Sequence, residues 1–230
     1  MPEIMVQQAK LTENADSQGR IWHENNVLVI GAGGHSKVVC STLRLLGWNI
    51  IGALDDHPQG QTSLPILGRL CEIDEYWNVR KFIGIGCNRL RAQIDCDTLV
   101  FVPGIVHPAS TVDLSASVSE GAVVMAGAVI QADSVVGRHT IVNTHATIEH
   151  DCTVGDYCHI APAACLTGNV SIGQGTLIGA GATITPGVSV GRWAVVGAGA
   201  TVINNIADGQ VVVGTPARPI RQTDTIRPKR

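Results

Sequence analysis

Near the middle of the chain, Asn143-Thr144-His145-Ala146-Thr147-Ile148-Glu149-His150-Asp151 sets an imidazole between two carboxylates. A neutral imidazole with a pKa near ~6.5 can accept a proton at neutral pH, and a neighbouring carboxylate fixes its tautomer and stabilises the imidazolium. His150 is the candidate general base and Asp151 its orienting group. A single exposed histidine also fits a plain solvated side chain, and the flanking carboxylates are what argue for chemistry. A second group lies nearer the start. Gly31-Ala32-Gly33-Gly34-His35-Ser36-Lys37 follows the apolar run 27–30 and leads into an amphipathic stretch (Val38, Val39, Leu43, Leu46) that stops at Gly47. Strand, glycine turn and helix is a layout that cradles phosphate, because glycines let the backbone approach an anion and a helix start offers free N–H groups. A second apolar run, 50–54, ends in Asp55-Asp56, where an acidic side chain could meet a ribose or a base. The same glycines would also serve a simple tight turn. Ser36 stands where the third glycine of a dinucleotide fingerprint belongs, which disfavours NAD.

The element that must position His150 is periodic. Stepping by six from Val106 to Val202 gives seventeen positions, every one Val, Ile or Leu, and four residues after most of them comes a small side chain such as Ala122, Ala128, Ala146, Cys152 or Ala164. Repeats at a fixed period decide architecture more firmly than local propensity. On a short strand the small residue and the aliphatic two places on face the same way, here inward. Three six-residue faces close into an 18-residue triangular coil, and stacked coils make a parallel β-helix of roughly five and a half turns. The interior is filled by aliphatics, so reactive groups must lie on outward or corner positions. His139, His145, His150 and His159 all do, and Gly168, eighteen residues after His150, occupies the same place one coil along. Its backbone N–H is a candidate oxyanion donor beside the base.

The first half predicts a small βαβαβ unit with a third strand over 82–85, ending in Gly86-Cys87-Asn88 before a helix that carries Arg89 and Arg91. The expected organisation is a disordered extension over 1–25, a Rossmann-like domain over 26–101, a β-helix over 102–206 and a tail over 207–230. Composition narrows the function further. A formal net charge of −3, with no Lys/Arg cluster before the last few residues, removes the footprint of a nucleic-acid binder. No apolar run approaches the ~18 residues of a membrane span, and the polar first 25 residues fit neither a signal nor a transit peptide, so a cytoplasmic protein is expected. Seven cysteines without a CxxC pair argue for reduced core thiols rather than a disulfide framework or structural zinc.

Taken together, GAGGHSKVV at 31–39, LDD at 54–56, Asn143 seven before His150-Asp151, His159 nine later, and Val212-Val213-Gly214-Thr215-Pro216-Ala217-Arg218 resemble one family across residues 27 to about 220. It is that of the bacterial nucleotide-sugar N-acetyltransferases that make bacillosamine and related 4-acetamido sugars, grouped with sialic acid O-acetyltransferases and GDP-perosamine N-acetyltransferases. The resemblance implies a left-handed β-helix, a homotrimer, acetyl-CoA in the groove between prisms, a nucleotide sugar held by the N-terminal domain, no metal, and a role in glycan or lipopolysaccharide biosynthesis. It assigns His150 as base and Asp151 as its partner, where the bacillosamine enzymes carry Glu. Asn143 would position the amine. His159, Gly168, Ala180, Ala198 and Arg218 would meet the cofactor. Gly33, Gly34, His35 and Lys37 would lie near the phosphates, and Asp55, Asp56, Asn88 and Arg91 near the base or ribose. The acceptor implied is the C4 amine of a nucleotide-linked 4-amino-4,6-dideoxy sugar, UDP-linked or GDP-linked, with O-acetylation of a sialic acid as the alternative. Two further readings differ in class. Some hexapeptide β-helices are zinc carbonic anhydrases, and His145 and His150 would suit two ligands, but the position of the third, 36 residues before His145, is Ala109. A non-catalytic sugar-nucleotide scaffold is allowed by the fold alone.

Overall fold

The computed structural model describes residues 13–15, 21–23, 25–58, 64–96 and 99–223. Within the expected disordered extension, β1 (Glu13–Ala15) and β2 (Ile21–His23) pair as an antiparallel ribbon, and most of the remainder of that extension lies outside the described residues.

The N-terminal half is a parallel sheet. β3 (Asn26–Ile30) is buried along its whole length, as a strand covered on both faces must be. β4 (Asn49–Leu54), β5 (Ile66–Gly68) and β6 (Arg80–Ile83) complete the order β5-β4-β3-β6. Helix α1 (Gly34–Leu45) starts directly after extended Gly33 and ends before Gly47, whose φ of 81° reverses the chain. It buries Ser36, Val39, Cys40, Thr42 and Leu43 on one stripe. The third expected strand begins two residues earlier than the apolar pattern suggested, because Arg80 and Lys81 pair with Val27 and Leu28. The three-residue β5 escaped the pattern: it is short and half exposed, so it shows no apolar alternation. A 3-10 turn over Leu70–Tyr76 links β5 to β6, and α2 (Asn88–Ile94) follows β6.

From Ile105 the hexad register takes over. Seventeen two-residue strands run from β7 (Ile105–Val106) to β23 (Thr201–Val202), one every six residues. They form three parallel sheets, one per face, each strand pairing with the strand eighteen residues on, as in Val124 with Val142 and Val142 with Ile160. Inward aliphatics from Val124 to Val202 are buried almost completely, and those of the first coil, Val106, Val112 and Val118, are partly open. Where a small inward position is polar it finds a carbonyl: Ser134 Oγ donates to Glu149 O (2.7 Å), Thr140 Oγ1 to Gly155 O (2.8 Å) and Thr176 Oγ1 to Gly191 O (2.7 Å). Each coil turns three corners, and from Gly121 to Gly199 the second corner residue is left-handed, filled by glycine (Gly121, Gly127, Gly175, Gly181, Gly187, Gly199) or by Asp133, His139, His145, Asp151, Tyr157, Ala163, Asn169 and Trp193. β24 (Gln210–Val213) extends one face and β25 (Arg218–Gln222) turns back antiparallel across its edge.

The two halves share one apolar cluster, in which Val27, Val39, Leu43 and Phe82 pack with Ile105, Val123, Met125 and Ile141 of the prism. His139 points out of the prism, as the register requires, but it is not solvated. The N-terminal half covers it, with the Phe101 ring edge-on at 4.4 Å and Tyr157 stacked at 5.8 Å. Ile184→Ala removes an aliphatic group from the filled prism and is expected to lower the unfolding free energy by about 2–5 kcal/mol. Leu114→Ala, at a solvent-exposed side chain, is expected to change it by less than about 0.5 kcal/mol. Urea unfolding followed by circular dichroism checks both.

Candidate active site

His150 and Asp151 occupy one corner turn, between the face carrying Thr147–Ile148 and that carrying Thr153–Val154. Asp151 is the left-handed residue of that turn (φ 59°), and from there its carboxylate reaches back to the ring, with Oδ2 2.7 Å from His150 Nδ1. That hydrogen bond raises the His150 pKa above its ordinary value. With Asp151 ionised and the imidazole neutral, Nδ1 carries the proton, so Nε2 presents a free lone pair. Gly168 lies directly beneath: a Cβ there would stand 2.7 Å from both Nε2 and Cε1 of His150. Only glycine lets the ring lie flat over the next coil. Among the described residues no acceptor meets the Gly168 amide. His145, by contrast, sits at the preceding corner, so the two histidines of the zinc reading flank different edges of the prism. Among the described residues no group of three or more His, Cys, Asp or Glu is placed to hold an ion.

A second cluster forms where the prism meets the N-terminal half. Asn143 Nδ2 donates to His159 Nε2 (3.0 Å), and the His35 ring lies 6.4 Å from that of His159, centre to centre. Burial, then the nearby Arg91 charge, lowers both histidines to a pKa of about 4. Both are therefore neutral at physiological pH and act as hydrogen-bonding groups rather than cations. His35 Nε2 is buried with no hydrogen-bond partner among the described residues. Gly33 and Gly34 border open space and Lys37 is exposed, which leaves the glycine turn accessible. Asp55 stands beside that turn: its Oδ2 accepts the Ala32 N–H (2.6 Å) and its Oδ1 the His57 N–H (2.8 Å). Asp56 instead accepts the Leu70 N–H (3.0 Å) and faces Arg69.

Two residues expected near the base or ribose do something else. Arg91 is fully buried, and its guanidinium donates to the carbonyls of Ile85, Gly86, His139, Tyr157 and Cys158 and to Asn88 Oδ1, all within 3.0 Å. Asn88 Nδ2 donates to Gly175 O and Thr176 O. Their side-chain donors are taken up by carbonyls of the prism and of the loop after β6 and by each other, so neither is free to read a base. Beside them a cavity of about 260 Å³ is lined by Gly86, Cys87, Asn88, His159, Leu177 and Trp193. Sequence reasoning missed Trp193. The available signal was Gly175, eighteen residues earlier at the same corner, where any side chain would collide with the indole.

Ala180 and Ala198 are exposed on one corner, eighteen residues apart. The turn before Arg218 folds onto the same edge, with the Ala217 N–H donating to Thr201 O (2.8 Å) and Thr215 Oγ1 to Gly199 O (3.4 Å). The structure thus groups Ala180, Ala198 and Arg218. It does not bring the His150 corner to the His159 cluster: in a triangular coil that corner is opposite the face bearing Ile141–Val142, His159–Ile160 and Leu177–Ile178. Among the described residues no helix is long and apolar enough to cross a membrane.

A family model described as the PglD N-terminal domain matches residues 26–96, and one described as bacterial transferase hexapeptide (six repeats) matches residues 169–204. No curated protein matches the chain. Among solved structures, the acetyltransferase domain of PglB from Neisseria gonorrhoeae in complex with acetyl coenzyme A is 39% identical, with 85% of this chain and 99% of that one covered at a TM-score of 0.80. PerB from Caulobacter crescentus in complex with CoA and GDP-perosamine is 36% identical, with 85% and 97% covered and a TM-score of 0.79. WeeI from Acinetobacter baumannii, at 24% identity and a TM-score of 0.74, with 84% and 99% covered, shares the fold. With this identity over nearly the whole of both chains, and with the hexad prism and glycine-turn sheet described above, the chain belongs to the PglD-like family of acetyl-CoA-dependent N-acetyltransferases of nucleotide-linked amino sugars.

Proposed function

We propose that the protein acetylates the C4 amine of a nucleotide-linked 4-amino-4,6-dideoxy sugar, UDP-linked in preference to GDP-linked, by direct transfer in the cytoplasm, with His150 as general base. The observation that carries this reading is the His150–Asp151 pair stacked over Gly168. His150 Nε2 takes a proton from the amine as its nitrogen attacks the thioester carbonyl. The developing oxyanion is met by the Gly168 N–H, the C–S bond breaks, and the imidazolium returns its proton to the leaving thiolate. Holding both substrates in one groove supplies much of the rate by proximity. Cys152 and Cys158 are buried and their thiol pKa values are raised by burial, so a cysteinyl intermediate has no support. The glycine turn, Lys37 and Asp55 would take the nucleotide, and Ala180, Ala198 and Arg218 the coenzyme. PerB, whose structure holds GDP-perosamine, supports an amino-sugar acceptor.

The separation of the two clusters supports a homotrimer. One prism cannot bring His150 against its own His159 and Asn143, and a neighbouring copy can present its base corner to that face, with the coenzyme between them. No metal is required by this chemistry. Free-thiol release from acetyl-CoA in the presence of EDTA, against UDP- and GDP-linked 4-amino-4,6-dideoxy sugars, sialic acid and CMP-sialic acid, tests the substrate. Rapid release with one nucleotide aminosugar is the expected result, and release with the sialic acids alone would overturn it.

Three further outcomes are expected. His150→Ala lowers turnover by about 10²-fold or more with the oligomer intact, the usual worth of a general base. Because Asp151 raises the His150 pKa and the neutral form is the active one, turnover rises with pH to a midpoint above the ordinary histidine value; Asp151→Asn shifts that midpoint to lower pH and also slows the reaction. His150→Ala and His159→Ala chains, each poorly active alone, regain activity when mixed into one oligomer, since random trimers leave about a quarter of the sites with both halves intact. Mixed oligomers no faster than their parents would exclude a shared site.

A further inference from the structure

Arg91 is an expensive way to join two halves of a protein. Its guanidinium lies fully inside, burial lowers its pKa only to about 10, and it is therefore charged at neutral pH. None of its six acceptors is a carboxylate. A buried cation without an anion costs more than apolar packing of similar volume. Cohesion is already supplied by the shared cluster of Val39, Leu43, Met125 and Ile141. What apolar contact cannot supply is direction. A planar fork with five fixed N–H groups locks the angle between the pieces it touches.

Those pieces are specific. On one side are the carbonyls of Ile85 and Gly86, in the loop that leaves the end of β6 next to the glycine turn, where a Cβ on Gly86 would touch His35. On the other are the carbonyls of His139, Tyr157 and Cys158, the last immediately before His159. Asn88 joins the two sets: it accepts from Arg91 and donates to Gly175 O and Thr176 O. Positions 139, 157 and 175 are stacked left-handed corner residues eighteen apart, so Arg91 and Asn88 together grip three successive coils. At the far end of α2, Asp95 accepts from the Tyr157 hydroxyl (2.5 Å) and pairs with Arg138 (3.2 Å), which fixes the helix at both ends.

In the sheet order β5-β4-β3-β6 all strands run parallel, the order of strands reverses between β3 and β6, and ligands of such sheets bind in the crevice at that point. The β6 loop gripped by Arg91 forms one wall of this crevice.

We propose that Arg91, seconded by Asn88, is a positioning residue of the transfer reaction: it sets the height and angle of the nucleotide crevice over His159 and so fixes where a nucleotide-anchored amine arrives. It touches neither substrate. The inference rests on the acetyltransfer reading, and an error of about 1 Å in such placement costs on the order of 10²-fold in rate.

The test compares two acceptors, the nucleotide aminosugar that wild type uses best and the corresponding free aminosugar at high concentration, which has no nucleotide to anchor. Wild-type rates come first; a wild type inactive on every nucleotide aminosugar sinks the acetyltransfer reading, not the role of Arg91. Arg91→Lys keeps the charge and loses the fork. The ratio of anchored to unanchored rate is expected to fall at least tenfold through kcat, with the KM for acetyl-CoA within twofold of wild type. Equal loss with both acceptors, or an unchanged ratio, would overturn the proposal and leave a purely structural role. Asn88→Ala, which removes the second grip and keeps the buried cation, is expected to lower the same ratio in the same direction, and it carries the test if Arg91→Lys does not fold.

Discussion

A six-residue face leaves room inside the prism for one aliphatic and one small side chain, and for nothing else. The fully buried run from Val124 to Val202 meets this limit, and everything functional is displaced outward by it. Each coil must turn three times within eighteen residues, and from Gly121 to Gly199 each turn places one residue in the left-handed region, a conformation glycine takes freely and Asp or His at modest cost. The corners are thus the strained positions, and one of them carries the His150–Asp151 pair. Asp151 shows how the two combine: the backbone geometry that closes the coil also bends its carboxylate back onto the His150 ring.

Much of this was legible in the sequence because the period is unbroken. Once the register is set, the pairing of every strand and the stacking of His150 on Gly168 follow by counting, and the glycine turn between strand and helix is readable from local chemistry. What the sequence hid are contacts between the two halves. Arg91 and Asn88 look like ordinary exposed polar residues at the start of a short helix, and only the docking of that helix on the prism turns them inward. His139 follows the rule for an outward histidine and is nonetheless buried, because the outward face at that corner is another domain's inner face. Trp193 and the short β5 were likewise invisible to periodicity. The first depends on a glycine one coil away and the second on a backbone pairing that no side-chain pattern records.

The arrangement divides labour between rigid and adaptable parts. The prism fixes the spacing of His150, Gly168 and the edge bearing Ala180 and Ala198 to the rise between coils. The four-stranded sheet presents the glycine turn and Asp55 on loops at the carboxyl ends of its strands. Two neutral histidines, His35 and His159, stand at the seam, kept uncharged first by burial and then by the nearby Arg91 guanidinium.

The apolar cluster that runs from Val27 through Phe82 into Val123 and Ile141 has a thermodynamic corollary. Two domains joined by a linker can open separately, with each losing only its own interior. Here the inner face of the sheet and one outer face of the prism are the same core, so exposing either exposes both, and the first coils gain from the sheet the protection that their partly open interior lacks. In hydrogen exchange the slowest amides therefore lie across the seam, in β3 and in the strands around Val123 and Ile141, and the earliest to exchange lie at the opposite end, in the exposed edge strand β25.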